Sequence, residues 1–281
     1  MSEQLFADLH IHTYFSDGTL SPEETIEEAH RHGLKCIAVT DHDTLDGIAP
    51  TIEAAKKYGI EVISGVEIST QINGRDIHIL AYLFDHNDKE FQTKLRSMQD
   101  SRVPRMREMI EKLNGLGICD ISLEEICAKT QSNSVGRLHL AQALVAKNHV
   151  KNVKEAFDKY LADDKPAYVG KQKLSPEDAF AMIKRAGGVS VMAHPMMTGA
   201  DELIPRFVSA GLDGLEVFYP HIMEKIIEYY KKLAVKHNLV LTGGSDAHGA
   251  AKQHTYIGKV KVPYEIVERL KEYHAASQAK K

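Results

Sequence analysis

Residues 6–12 read Phe6-Ala7-Asp8-Leu9-His10-Ile11-His12, followed by Thr13 and then by Asp17-Gly18. The run is short and largely apolar, which describes a buried strand. Side chains alternate faces along a strand, so His10 and His12 point the same way. Two imidazoles at that separation can grip one metal ion. A chain with 15 histidines meets His-x-His by chance, so the pair needs company. Thr40-Asp41-His42-Asp43, Ala193-His194-Pro195 and Ser245-Asp246-Ala247-His248 each close another strand-like segment, and Glu67 and His78 lie at or near the ends of two more. Scattered residues thereby become one expected site.

At 281 residues the chain is long enough for one α/β barrel or two modest domains. A formal charge of −4 and an isoelectric point near 6.4 supply no global basic footprint, so avid binding to duplex nucleic acid is not expected. Three widely spaced cysteines, Cys36, Cys119 and Cys127, suit a reducing compartment better than a disulfide framework. The opening Met1-Ser2-Glu3-Gln4 has no basic or apolar targeting signature, and no apolar stretch approaches membrane-spanning length. A cytoplasmic protein without membrane contact is expected.

Expected strands fall at 6–12, 36–41, 61–68, 77–84, 189–193, 214–218 and 240–243, alternating for most of the chain with helical periodicity. Ser21-Pro22-Glu23-Glu24 and Ser175-Pro176-Glu177-Asp178 each place a capping Ser before Pro and acids in a first helical turn. Gly33 and Gly187-Gly188 stand where those helices should stop. The alternation predicts a mainly parallel sheet, with seven strands available for a barrel. Residues 89–165 break the rhythm: they read as almost wholly helical, a helical insertion between barrel units at 1–88 and 166–281.

In parallel α/β barrels the active site gathers at the carboxyl ends of the strands. Candidate metal ligands there are His10, His12, Asp17, His42, Glu67, His78, His194, Asp246 and His248. Six imidazoles and three carboxylates exceed what one ion needs, so two or three divalent ions are expected, with Glu67 or Asp246 able to bridge. The mixture suits manganese, zinc or iron better than calcium or magnesium, which favour all-oxygen shells. Any single histidine could be an ordinary core residue, but that reading would have to hold separately at nearly every strand end. Glu67 resists it most, because a carboxylate within an apolar strand needs a partner to offset desolvation.

The ordered blocks Asp8-Leu9-His10-Ile11-His12, Asp17-Gly18, Thr40-Asp41-His42, Gly65-Val66-Glu67, His78, Ala193-His194-Pro195 and Ser245-Asp246-Ala247-His248 resemble the PHP (polymerase and histidinol phosphatase) superfamily, from about Phe6 to His248. The resemblance implies a distorted seven-stranded barrel with a trinuclear metal centre. It also implies the ligand sets: His10, His12, Glu67 and Asp246 for one ion; Glu67, His78 and His194 for a second; Asp17, His42 and His248 for a third. No motif position is substituted.

A helical insertion after the fourth strand is similar to that of stand-alone members acting as nucleoside 3′,5′-bisphosphate phosphatases and 5′-to-3′ exoribonucleases, in which it covers the centre and binds phosphate. The matching segments are Ser101-Arg102-Val103-Pro104-Arg105, Gly136-Arg137-Leu138-His139 and Lys165-Pro166-Ala167-Tyr168-Val169. Arg102 and Arg105 are three apart on one helix face, and Arg is the preferred bidentate partner of phosphate. Arg102, Arg105, Arg137, His139 and Lys165, with Asp17 and His42, are therefore the expected substrate-contacting residues. The expected reaction is attack on a phosphate monoester by a metal-bridging hydroxide, with Glu67 as bridge and His194, His248 or a metal-bound water available to protonate the leaving oxygen. A pAp-like bisphosphate or the 5′ end of a short RNA is the expected substrate. Histidinol phosphate, or a non-catalytic or proofreading PHP module, is the alternative.

Overall fold

The computed structural model of the chain describes residues 4–100, 102–128, 135–170, 174–252 and 256–279. Eight strands form one sheet: β1 (Phe6–Ile11), β2 (Leu34–Val39), β3 (Glu61–Ile72), β4 (Arg75–Tyr82), β5 (Val189–Met192), β6 (Gly214–Phe218), β7 (Val240–Gly243) and β8 (Val262–Pro263). Their order is β7-β6-β5-β4-β3-β2-β1-β8. The sheet curls until β1 meets the segment beyond β7, where the His12 N–H donates to the Ala247 carbonyl at 2.9 Å. The outcome is a nearly closed barrel. Tyr82 on β4 braces its interior by donating its hydroxyl to the Leu9 carbonyl on β1, at 2.7 Å.

Helices α1 (Pro22–Arg31) and α2 (Ile48–Ala55) connect the first three strands. Between β4 and β5 come α3 (Lys89–Asp100), α4 (Arg102–Gly115), α5 (Leu123–Cys127), α6 (Arg137–Ala146), α7 (Val153–Ala156), which a π-helical turn continues, and α8 (Pro176–Arg185). The later strands alternate with α9 (Pro195–Thr198), α10 (Ile204–Ala210) and α11 (Glu224–His237), and α12 (Tyr264–Gln278) follows β8. Caps sit where the residue types place them. Ser21 accepts from the Glu24 N–H at 3.1 Å while Glu24 accepts from the Ser21 N–H at 2.8 Å, a complete capping box. Pro104 lies in the first turn of α4, where a missing N–H costs no helical bond.

Two features depart from the expected parallel sheet. β4 runs antiparallel to both β3 and β5. Only Asn73 and Gly74 separate β3 from β4, both at positive φ, and so short a link can make a hairpin but no parallel crossover. β3 also continues to Ile72, beyond the expected end at 68, so Glu67 lies within the strand. The barrel rim still falls near it, since β2 pairs with β3 only as far as Ser64 and then meets it again through an isolated His42–Glu67 bridge. Reversal puts the early residues of β4 at that same rim, with His78 opposite Ser69. The second departure is β8, two residues paired antiparallel to Phe6 and Ala7, too short to leave a periodic signature.

Buried apolar residues form separate clusters. Phe91 and Leu95 of α3 join the large cluster on β3–β6 and the helices α8, α10 and α11. From Met106 to Val169, residues of α4–α7 and the following turn form their own cluster, including Met109, Leu113, Leu140, Leu144 and Leu161. Among the described residues no helix is long and apolar enough to cross a membrane.

Candidate metal centre

His10 and His12 are buried at the end of β1, and their positions are set from below. Asp8 accepts from the Ser245 N–H at 2.8 Å and the Gly258 N–H at 3.0 Å, tying β1 to the segment after β7. Gly244 makes that approach possible, because a Cβ there would lie 2.4 Å from the His10 backbone nitrogen. Asp246 and His248 are carried in on the same segment. Asp41 orders the first loop by accepting from the Thr13 N–H (2.7 Å), the Thr13 hydroxyl (2.6 Å) and the Ser16 hydroxyl (2.6 Å), next to Asp17. Asp43, His194 and Asp246 have φ of 55°, 30° and 50°, left-handed conformations uncommon outside glycine and most accessible to Asp, Asn and His.

Glu67 is the hub. Its Oε2 lies 3.3 Å from His10 Nε2, 3.1 Å from His12 Nε2 and 3.3 Å from His42 Nδ1. Its Oε1 lies 2.8 Å from His78 Nδ1 and 3.2 Å from His194 Nε2. Asp246 Oδ1 approaches His12 Nε2 at 3.3 Å and His10 Nε2 at 3.5 Å. Asp17 meets His248 Nε2 at 3.2 Å, His12 Nδ1 at 3.6 Å and His42 Nε2 at 3.7 Å. All nine expected ligands thus converge at one rim. Among the described residues three subsets have ligand atoms within 4.8 Å of one another: His12, Asp17, His42 and His248; His10, His12 and Glu67; and His42, Glu67 and His78.

The electrostatics fit a cation. Burial pushes the Glu67 carboxyl up, but His42, His78 and His10 outweigh it and hold Glu67 well below the carboxylate range. Asp17 and Asp246 are likewise held low against burial, by His248 and His42 for the first and by Lys252, His248 and His10 for the second. Burial drives His42 down to about 3, against the pull of Glu67 and Asp17. Burial also opposes charge on His12, yet Asp246 and Glu67 raise it to about 9. Ionised carboxylates and buried imidazoles are the donor set for divalent transition metals, whose binding would displace the His10 and His12 protons.

Of the expected phosphate-binding residues in the helical segment, Arg102 and Arg137 reach the strands that carry this cluster. Arg102 is buried, pairs with Asp43 and donates to Ser69 Oγ at 3.0 Å. Arg137 pairs with Asp76 at 2.9 Å and Asp163 at 2.8 Å. Ser69 and Asp76 lie on the same hairpin as Glu67 and His78, so both arginines bind α4 and α6 to the rim. Arg105 differs in forming no ion pair among the described residues: it is 8 % exposed, its Nε donates to the Val169 carbonyl at 2.7 Å, and its Nη2, like Arg102 Nε, has no hydrogen-bond partner among them. Burial, then Arg137 and Arg102, lower it to about 10. His139 accepts from the Gly136 N–H at 3.0 Å and caps α6. Lys165 is exposed, with no side-chain hydrogen bond or ion pair to the cluster. Ser101 lies outside the described residues.

Glu216, Tyr219 and Lys252, which the sequence reading did not single out, also touch the ligands. Glu216 on β6 meets His10 Nδ1 at 2.9 Å. Tyr219 donates to Asp246 Oδ2 at 2.7 Å, and Lys252 reaches the same oxygen at 2.8 Å. Only Glu216 left a signal, a carboxylate inside the apolar Gly214-Leu215-Glu216-Val217-Phe218.

The PHP domain model matches residues 8–168, which include most of these ligands and the arginines. This chain belongs to the PHP family. It is 34 % identical over 248 residues to a 3′,5′-nucleoside bisphosphate phosphatase of Chromobacterium violaceum, covering 86 % of each chain. It is 38 % identical over 215 residues to a 5′-3′ exoribonuclease of Haemophilus influenzae, covering 75 % of this chain and 78 % of that one. A Bifidobacterium adolescentis crystal structure assigned as a metal-dependent phosphoesterase superimposes with a TM-score of 0.86 at 30 % identity, covering 95 % of this PHP chain and 96 % of the other.

Proposed function

We propose that this PHP protein removes a phosphate from a nucleoside 3′,5′-bisphosphate or from the 5′ end of a short RNA, using two or three manganese, zinc or iron ions. The broader activity, metal-dependent hydrolysis of phosphate esters, goes with the family and with relatives named as a phosphatase and an exoribonuclease. The finer reading rests on Arg105, a buried guanidinium whose Nη2 has no hydrogen-bond partner among the described residues. Arginine is well suited to a second phosphate, because its fork matches two phosphate oxygens.

In this reading His10, His12, Glu67 and Asp246 hold one ion, Glu67, His78 and His194 a second, and Asp17, His42 and His248 a third. Bound there, divalent ions would supply an activated water and positive charge against the phosphoryl oxygens. Glu67 keeps two sets of ligands in register through its two oxygens. Asp17 and His42 border the substrate, and Arg105 receives the phosphate that is not cleaved. Arg102 and Arg137 keep it aimed by holding α4 and α6 on the β3–β4 hairpin. Of the two imidazoles proposed to return a proton to the leaving oxygen, the His194 side chain is 17 % exposed and that of His248 2 %, so substrate reaches His194 more readily. Helices within 89–165 act as the insertion that covers the centre.

Phosphate release from pAp, 5′-phosphorylated RNA and histidinol phosphate, with manganese supplied and then chelated, tests the proposal. Turnover of the nucleotide substrates far above histidinol phosphate is expected. Preference for histidinol phosphate would overturn it and leave the buried Arg105 without a role.

A further inference from the structure

Glu216 is the middle residue of β6 and wholly buried. Among the described residues no Lys or Arg pairs with it. Its Oε1 lies 2.9 Å from His10 Nδ1, and its Oε2 accepts the His194 backbone N–H at 2.8 Å. One carboxylate thereby touches residues delivered by β1 and by the turn after β5, and that turn is left-handed, with His194 at φ 30° and ψ 56°. An isolated buried carboxylate is costly, so a residue kept in this place needs both donors.

We propose that Glu216 is a positioning residue that sets two metal ligands at once. A carboxylate 2.9 Å from Nδ1 keeps the His10 proton on that nitrogen. The lone pair is then on Nε2, which faces His12 Nε2 at 3.1 Å and Glu67 Oε2 at 3.3 Å. A carboxylate behind a metal-binding imidazole both orients the ring and raises its basicity. Through its second oxygen Glu216 holds the turn in which His194 Nε2 comes within 3.2 Å of Glu67 Oε1. His10 and His194 stand on opposite oxygens of Glu67, so Glu216 is the outer counterpart of that bridge.

The inference rests on the metal-centre reading, and its test separates the two. Glu216→Gln can accept from only one of the donors. If its amide nitrogen faces His10, the imidazole must move its proton to Nε2 and cannot ligate through it. If the amide nitrogen faces His194, two N–H groups oppose each other and the turn is released. Zinc and manganese uptake by wild type and E216Q would be titrated against a chromophoric chelator, with far-ultraviolet circular dichroism as a check on folding. A roughly 10–100-fold loss of affinity for at least one ion in the folded variant is expected. Unchanged affinity and stoichiometry in E216Q would overturn the role of Glu216, whereas no uptake by wild type would instead overturn the metal centre. A second measurement is independent of how the variant folds. In ¹⁵N spectra of zinc-loaded wild type, His10, assigned by comparison with His10→Asn, should carry its proton on Nδ1, and a proton on Nε2 would sink the proposal.

Discussion

Glu67 and Arg105 are both buried ionisable side chains, and they are buried for different reasons. Glu67 is surrounded by five imidazoles, so its desolvation is offset within the cluster. Replacing it with Ala should remove the shared ligand of two sets. Metal content measured after gel filtration should fall by at least one ion per chain, and kcat by about 100-fold or more. Near wild-type metal and turnover would contradict the bridging role. Among the described residues no carboxylate forms an ion pair with Arg105, although Asp163 favours its charge from farther off, and charge-assisted hydrogen bonds are worth about 1.5–3 kcal/mol. Arg105→Met should therefore keep its metals and lose roughly 10–100-fold in kcat/KM on a bisphosphate, with a smaller loss on a mononucleotide. Equal losses on both substrates would place Arg105 in the scaffold. At this scale the motif residues were legible because imidazoles and carboxylates at strand ends are conspicuous. Glu216 carried the same kind of signal as Glu67, a charge in an apolar strand, but in mid-strand it had no motif to point to it. That Arg102 and Arg137 are occupied by Asp43, Asp76 and Asp163 while Arg105 is not could not be read from spacing, since all three depend on partners distant in the chain.

The element that shapes the centre is the β3–β4 hairpin. It carries Glu67 and Ser69 on one strand, with His78 opposite Ser69 on the other, and it receives α4 through Arg102. Asp43 is the clasp between them. It accepts from the Ser69 N–H at 2.7 Å, pairs with Arg102, and through its carbonyl accepts from the Gln99 side chain of α3 at 2.8 Å. Asp43→Ala would leave the Arg102 guanidinium buried without its carboxylate, a change that typically costs about 3–5 kcal/mol. A lower melting temperature is expected, together with a raised KM as α4 loses its anchor beside His42. A melting temperature within a degree of wild type would mean that the pair contributes little. Helix starts at Ser21 and Ser175 were plain in the sequence because capping is local chemistry. The reversal of β4 was equally local, written in Asn73-Gly74, and was hidden only because the surrounding alternation suggested a crossover.

Across the whole molecule, protons and metals compete for the same imidazoles. His12 is raised from an ordinary value near 6.5 to about 9, and His10 is raised as well. In metal-free protein these protonated histidines contribute stability that is complete below pH 6.5 and is lost as pH climbs through about 9. Metal takes the place of the protons, so its affinity should rise with pH over the same window. Melting curves with and without chelator at pH 6.5, 7.5 and 9 should show a metal-dependent increase that widens with pH. Saturation at about 100 times Kd corresponds to about 2.7 kcal/mol and a rise of about 5 °C. An increase that shrinks with pH would mean that His10 and His12 are not the competing sites. By itself the sequence located seven of the eight strands, the capped helices and the helical character of most of 89–165, and it singled out nine residues as candidate metal ligands, because periodicity, caps and ligand chemistry are local properties of the chain. Only the tertiary structure decided which oxygen of Glu67 meets which imidazole, which of the three arginines lacks an ion pair among the described residues and that Glu216 stands behind His10. Those outcomes depend on how distant segments approach, on Gly244 passing against His10 and on β4 running backwards, and pairwise distances of a few ångströms are set by packing of the whole barrel.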